Sequence, residues 1–209
     1  NDITDWQSNP LTQIYLRIAY GNGKFFSCLG NLRAYSSNGT TWTEISDINF
    51  SAIDVAFGNS RFVTVGNDPT TGNVKVYTST DAINWTSRTS SILNSEIQNI
   101  AYGNFLFVAT AVDNANGQIM TSPTGTTWTT RSVSTNRRLN GAAYGNGIWV
   151  IVCSDSVGAT GGTTITSYDG ITWTVQPTGF FNFAIEFANG IFTTGTHYSY
   201  DGINWSTTG

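Results

Sequence analysis

The sequence predicts an all-β protein made of five similar units, each with four antiparallel strands. A seven-residue motif that ends in tryptophan occurs five times, and an aromatic-Gly-Asn motif alternates with it. The five motif tryptophans recur at steps of 43, 43, 45 and 32 residues. A period near 40 residues with four short strands is typical of a propeller blade. We therefore expect a five-bladed β-propeller.

The tryptophan motif reads Ser-x-(Asp/Asn/Thr)-(Gly/Ala)-x-(Thr/Asn)-Trp and predicts a tight turn followed by a strand. Asp or Asn before Gly favours such a turn, because Gly accepts positive φ and the side chain bonds nearby backbone N–H groups. The tryptophan then buries a large apolar surface, worth about 1.5–3 kcal/mol. The repeat-defining residues are Ser36, Asn38 and Trp42; Ser79, Asp81 and Trp85; Ser122 and Trp128; Ser167, Asp169 and Trp173; and Ser199, Asp201 and Trp205.

The second motif, Ala-Tyr-Gly-Asn-Gly in its fullest form, is a hairpin signal between two apolar runs. We name the strands of each unit A to D. Strand A ends at this motif, strand B follows it, strand C ends at the motif serine, and strand D starts at the tryptophan. Propeller wiring places the A–B and C–D turns on one face and the longer, irregular loops on the other, which is the usual working surface.

We expect one domain over residues 1–209, with blades at about 16–47, 48–90, 91–134, 135–178 and 179–209. Residues 1–15 predict a closing or accessory strand. Trp6 precedes Tyr20 by 14 residues, as Trp173 precedes Phe187. Three arrangements stay open for this strand: it adds to the last blade, packs outside it, or pairs with another subunit.

The composition excludes several classes of protein. A net charge of −4 and a pI near 4.7 argue against nucleic-acid binding, which needs a basic face. No apolar run approaches the roughly 18 residues of a membrane span, so no membrane insertion is expected. Two buried free thiols are favoured for Cys28 and Cys153, with a disulfide as the alternative. Because the first residue is Asn1, we expect a processed chain or a fragment.

The tryptophan motif resembles the Asp box, or BNR repeat, of sialidases and many secreted bacterial and phage proteins. The usual Asp box is Ser-x-Asp-x-Gly-x-Thr-Trp, and this chain has one residue fewer between Asp and Gly. The whole unit looks like the repeat of surface-displayed bacterial proteins and phage virion proteins, over residues 16–209. The resemblance implies a propeller at an extracellular or virion surface. Asp boxes are structural turns, so it implies no active site.

Hydrolysis is disfavoured by what a sialidase needs: an arginine cluster, a tyrosine nucleophile and acidic partners. Among the seven arginines, the nearest match to the family's Arg-Ile-Pro context is Arg17-Ile18-Ala19, and the chain has three glutamates. We therefore expect no enzymatic activity, with a divergent glycosidase of the sialidase-like class as an alternative. Neither a metal nor a cofactor is expected, because the single His197 lacks the ligand spacing of a zinc site.

Three charged residues are candidate ligand contacts. Arg137 and Arg138 lie on a connector and suit an acidic sugar or a partner's carboxylate, although a solvated charge pair is favoured. Glu186 replaces the alanine that the other four repeats carry near the channel. It is either a ligand contact or, as we favour, a solvated or arginine-paired carboxylate.

Aromatic residues supply three further candidates. Phe180 and Phe181 on the last connector cannot both follow the strand alternation, so one ring is expected to be exposed or under a loop, and we select Phe180. Phe183 continues the alternation and is expected in the core. Tyr168 and Tyr200 lie in the motif turns on the opposite face and suit either stacking or rim packing.

These observations favour a non-enzymatic binding or assembly module displayed on a cell or virion surface. Its expected partner is a glycan or another host-surface polymer, since a polar surface with few charges suits hydrogen bonding to carbohydrate. The alternative is a purely structural virion protein that contacts neighbouring subunits, such as a capsid decoration or tail component. A homo-oligomer is possible under either interpretation.

Overall fold

A computed structural model describes residues 17–46, 50–93, 95–113, 116–154, 162–180 and 182–208. Within these residues, five antiparallel sheets of four strands follow one another along the chain, and the strands of each sheet keep sequence order. No helix occurs in the described ranges. The predicted all-β, five-bladed propeller is therefore confirmed. The predicted strand around Trp6 lies outside the described residues.

The strands are numbered β1 to β20 in chain order, four to a blade. Blades 1 and 2 comprise β1 (Arg17–Gly21), β2 (Lys24–Leu29), β3 (Leu32–Ser36) and β4 (Thr43–Glu44), then β5 (Ser51–Gly58), β6 (Arg61–Asn67), β7 (Val74–Ser79) and β8 (Thr86–Arg88). Blade 3 comprises β9 (Glu96–Gly103), β10 (Leu106–Asp113), β11 (Asn116–Ser122) and β12 (Thr129–Arg131). Blades 4 and 5 comprise β13 (Arg138–Gly145), β14 (Ile148–Ser154), β15 (Thr163–Ser167) and β16 (Thr174–Pro177), then β17 (Glu186–Ala188), β18 (Ile191–Thr193), β19 (His197–Ser199) and β20 (Ser206–Thr207).

Each A–B turn begins with an asparagine whose φ lies between 46° and 52°, as a tight hairpin turn requires. The Asn22 amide also ties blade 1 to blade 2, because its Nδ2 donates to the carbonyl oxygens of Ser60 (3.1 Å) and Thr80 (2.9 Å). Asn146 makes the same two bonds from blade 4 to blade 5. These bonds join A–B turns to C–D turns, so both kinds of turn lie on one face.

The Asp side chain of the tryptophan motif accepts the hydrogen bonds that hold the C–D turn. Asp169 Oδ1 accepts hydrogen bonds from the backbone N–H groups of Thr172 (2.8 Å) and Ile171 (2.7 Å) and from the Ser167 hydroxyl (3.0 Å). These bonds hold the pKa of Asp169 at about 2, because they favour the charged form. The same backbone bonds recur at Asn38, Asp81 and Asp201.

Each described seam between blades brings an aromatic ring onto a glycine. We call the face of a blade that packs on the preceding blade its incoming face, and the face that packs on the next blade its outgoing face. Tyr102 on the incoming face of blade 3 lies on Gly58 of blade 2, where an added Cβ would be 2.1 Å from a ring carbon. The corresponding pairs are Phe57 on Gly21, Tyr144 on Gly103 and Phe187 on Gly145.

Four hydrophobic clusters fill the same four seams. In each seam the motif tryptophan of the later blade packs in the cluster: Trp85, Trp128, Trp173 and Trp205. Cys28 and Cys153 are buried in two of these clusters and are free thiols, which confirms the favoured expectation. Within the described ranges, no helix has both the length and the apolar character needed to span a bilayer.

The glycine at a seam is testable by adding one methyl group. Gly58→Ala forces the Tyr102 ring or the strand to move, and overpacking of this kind costs about 1–3 kcal/mol. We expect urea denaturation to show a loss of that size in the free energy of unfolding. Tyr102→Ala serves as the second arm of a double-mutant cycle, since removing the ring removes the clash. A cost that is fully additive in the double variant would contradict the ring-on-glycine contact.

Candidate functional site

A cavity of about 500 Å³ lies where the A strands of the blades meet. Its lining comes from β1, β5, β9 and β13 and from residues 183–186 at the start of β17. The volume falls within the roughly 300–1,000 Å³ range of small-molecule sites. The cavity is therefore the candidate functional site.

Bulges in the A strands turn polar side chains toward this cavity. Strands β5, β9 and β13 each shift register against their B strands, which leaves Ile53, Gln98 and Asn140 without a partner in the ladder. A bulge redirects a side chain and bends its strand. Gln98 and Asn140 both line the cavity.

Asp54 follows the first bulge and joins three blades. Its Oδ2 accepts hydrogen bonds from Asn99 Nδ2 (2.5 Å) and from the Ile100 backbone N–H (3.0 Å), both in blade 3. Its Oδ1 accepts the Val55 N–H at 2.9 Å and lies 3.6 Å from Arg17 Nε of blade 1. Asp54 is buried, whereas half of the Arg17 side chain is exposed, so the ion pair itself contributes little.

Amide side chains continue this polar arc into blades 4 and 5. Asn99 Oδ1 accepts the backbone N–H of Ala142 at 2.9 Å. Asn140 Nδ2 donates to the carbonyl oxygen of Asn182 at 3.0 Å, and Asn140 Oδ1 accepts a 3.4 Å hydrogen bond from the Ser154 hydroxyl. The polar groups therefore satisfy backbone atoms from one blade to the next around the cavity.

Burial raises the pKa of the Asp54 carboxyl from 3.8 to about 6. The hydrogen bonds from Ile100, Val55 and Asn99 and the charge of Arg17 oppose this rise without cancelling it. A buried acid with a raised pKa on the wall of a cavity is a recognised sign of a functional site. Asp54 is also suited to proton transfer near pH 6.

Glu186 and Phe183 line the same cavity. Glu186 is exposed at the first residue of β17, and the Phe183 side chain is 77% exposed. The expectation that Phe183 lies in the core is wrong. Strand β17 has three residues, so the alternation does not reach back to Phe183, and the neighbouring Asn182 is the residue that turns inward.

Phe180 is buried rather than available to a ligand, which corrects the sequence-based candidate. Its ring stacks on His197 with centroids 3.9 Å apart and meets Trp205 edge-on at 5.3 Å. It therefore packs the interior of blade 5. Phe181 lies outside the described residues.

The other sequence-predicted residues do not line the cavity. Arg138 pairs with Glu96 at 2.9 Å, and both side chains are substantially exposed. Arg137 is half-buried next to it. Tyr168 and Tyr200 are exposed in the C–D turns, on the turn face.

Sequence reasoning missed Asp54, Asn99 and Asn140. A signal was present, because Asp54 and Asn99 both lie three residues before the strand-ending aromatic, as Arg17 does in blade 1. Polar residues at one position of successive inner strands indicate a shared polar lining. In the described residues, no cluster of three or more His, Cys, Asp or Glu is suited to hold a metal ion.

No family model matches the sequence, and no curated protein matches it. Solved β-propeller structures do resemble the chain. Nidogen in a nidogen–laminin complex has a TM-score of 0.62 and 13% identity, covering 88% of this chain and 71% of that one. An exo-β-1,3-galactanase from Phanerochaete chrysosporium, solved with β-1,3-galactotriose, has a TM-score of 0.53 and 14% identity, covering 92% of this chain and 59% of its own. At such identities the likeness shows the fold.

The expectation that the chain is not an enzyme is contradicted by this comparison. Galactanase structures with the same propeller fold, including a complex with galactose at a TM-score of 0.51, are enzymes. A propeller of this kind is therefore compatible with glycoside hydrolysis. The Asp-box resemblance, by contrast, is supported by these neighbours only as far as the propeller fold.

The raised pKa of Asp54 predicts a pH-dependent stability. The folded state holds its proton up to about pH 6, whereas the unfolded carboxyl loses it near 3.8. Stability contributed by the protonated form is therefore lost as pH rises from about 4 to 6, by about 3 kcal/mol. We expect Asp54→Asn to remove this fall in the free energy of unfolding, measured by urea denaturation from pH 4 to 7.

Asp68→Asn is the matched control. Hydrogen bonds from Thr71 and Thr70 hold the pKa of Asp68 at about 2, so its contribution is complete above pH 4 and is lost only below it. The stability difference between this variant and the native chain should stay constant from pH 4 to 7. A constant difference for Asp54→Asn as well would contradict the raised pKa.

Proposed function

We propose that the chain binds carbohydrate in the central cavity. The observation that carries this proposal is the combination of an exposed aromatic ring, Phe183, with a polar wall on one cavity. A sugar ring presents an apolar C–H face and a rim of hydroxyl groups. An aromatic face suits the first, and the Gln98, Asn99 and Asn140 amides and the Glu186 carboxylate suit the second.

The comparisons support a binding role of either kind. The nidogen structure is a complex with the protein laminin, and the galactanase structure holds a β-1,3-linked trisaccharide. We favour the sugar because the cavity is small, concave and polar, whereas a protein partner needs about 800 Å² on each side.

The ring of Phe183 should dominate the affinity. Titration calorimetry with β-1,3-galactotriose, followed by a neutral oligosaccharide array, should give a dissociation constant that rises at least tenfold in Phe183→Ala. Burying a phenylalanine side chain contributes about 1.5–3 kcal/mol. Phe105→Ala is the matched control, since its ring is 83% exposed outside the cavity lining. No binding across the array, or equal losses in both variants, would overturn the proposal.

Hydrolysis of the bound sugar is the second candidate, favoured by two carboxyl groups on one cavity. Glycosidases use a protonated acid and an ionised partner across the scissile bond. Asp54, whose pKa burial raises to about 6, suits the proton donor. Exposed Glu186 lines the same cavity and suits the role of the second carboxyl group.

Reducing-end release from β-1,3-galactan between pH 5 and 7 tests this activity. We expect Asp54→Asn and Glu186→Gln each to lower the rate at least a hundredfold, while galactotriose binding in calorimetry persists. Glu96→Gln, a surface carboxyl paired with Arg138, should leave the rate unchanged. Binding without any release by the native chain would exclude hydrolysis and leave the binding proposal standing.

The site of action remains the one that the repeat motif predicts, at a cell or virion surface. Its support is the resemblance of the tryptophan motif to Asp boxes of secreted and virion proteins. A structural role between virion subunits is the remaining alternative. The absence of binding to any oligosaccharide on the array, together with ordered self-assembly in light scattering, would favour that role.

A further inference from the structure

The incoming face of blade 1 is exposed, unlike the other four incoming faces. Tyr20 is 59% exposed and Ile18 equally so, whereas the residues corresponding to Ile18, such as Val55 and Ile100, are buried. Phe25 is half-buried, although its counterpart in each other blade is buried. Among the described residues, none of the four hydrophobic clusters includes Ile18, Tyr20 or Phe25.

This face is nevertheless built for packing. Tyr20 contacts Phe25 with ring centroids 4.5 Å apart, the same pairing as Tyr102 with Phe107 at 4.6 Å in blade 3. An exposed apolar face that carries an isoleucine and an aromatic pair indicates an interaction site.

The outgoing face of blade 5 does not complement it. Where the other blades have a glycine to receive the incoming ring, blade 5 has Ala188, whose Cβ occupies the space that a ring requires. Glu186 and Thr193 are exposed at the positions where Ala143 and Val150 of blade 4 are buried. A polar outer face is what the end of a repeat array presents.

We propose that residues 1–16 of this chain cover the incoming face of blade 1. The segment ends directly before Arg17, the first residue of β1. It offers apolar side chains at Ile3, Trp6, Leu11, Ile14 and Leu16.

Length and tethering favour this segment over other occupants. Sixteen residues reach up to about 50 Å when extended, which exceeds the width of one blade. A tethered segment acts at an effective concentration of the order of millimolar. Blade 5 of a second molecule has the same polar outgoing face, so it would cover blade 1 no better than blade 5 of the same molecule does.

Hydroxyl-radical footprinting of the full chain tests the proposal, with Tyr200 as the internal control. Tyr20 and Tyr200 are similarly exposed, by 59% and 64%. We expect Tyr20 to be modified at least tenfold more slowly than Tyr200. Trp6→Ala combined with Leu11→Ala should bring the two rates within twofold, while half-buried Tyr102 keeps its rate as a check on folding.

Three results would overturn the proposal. Equal modification of Tyr20 and Tyr200 in the native chain would mean that the face is open. Protection of Tyr20 that survives the Trp6→Ala and Leu11→Ala substitutions would assign the cover to blade 5 or another surface. Protection that disappears on dilution, with a matching change of mass in light scattering, would assign it to a second copy.

Discussion

The contact of an aromatic ring with a bare glycine sets the spacing of the blades. Because Gly21, Gly58, Gly103 and Gly145 lack a Cβ, the ring of the next blade lies against the backbone itself. Each ring also packs on an aromatic residue of its own B strand, as Tyr102 does on Phe107, so one side chain orders both the hairpin and the seam. The motif tryptophans then fill the outer part of the same seams. The inner strands are thereby held around a common cavity.

The cavity wall combines structural and chemical roles. Asp54 and Asn99 satisfy backbone N–H groups of the following blade, which an apolar side chain cannot do. The Asp54 carboxylate accepts on both of its oxygens, which a neutral amide with one acceptor oxygen cannot do. Burial nevertheless penalises its charge and raises its pKa to about 6. A buried acid with a raised pKa on a cavity wall is the kind of group that the proposed carbohydrate site would use. The exposed Phe183 ring on the same wall supports this interpretation.

The repeat motifs were sufficient to predict the fold, because turn chemistry and apolar alternation are local properties. Asp169 and its counterparts accept the turn hydrogen bonds that the sequence implies. The cavity site was harder to predict from the sequence, because its geometry depends on bulges and on strand length. Asp54 acquires its neighbours through a register shift in β5, and Phe183 is exposed because β17 is short. Phe180 is buried by His197 in β19 and by Trp205 directly before β20, contacts that depend on how blade 5 packs. No alternation in the sequence encodes these contacts.

The most direct test of the seam geometry is the proton NMR shift of the seam glycines. In the four described seams, one Hα of the glycine points into an aromatic ring, in the direction where a Cβ would lie 2.1–2.3 Å from that side chain. Ring currents should therefore move these Hα resonances strongly upfield. The turn glycines Gly23, Gly147 and Gly190, which have no atom within 4 Å in that direction, should keep ordinary shifts. Ordinary shifts at Gly21, Gly58, Gly103 and Gly145 would contradict the blade packing described above.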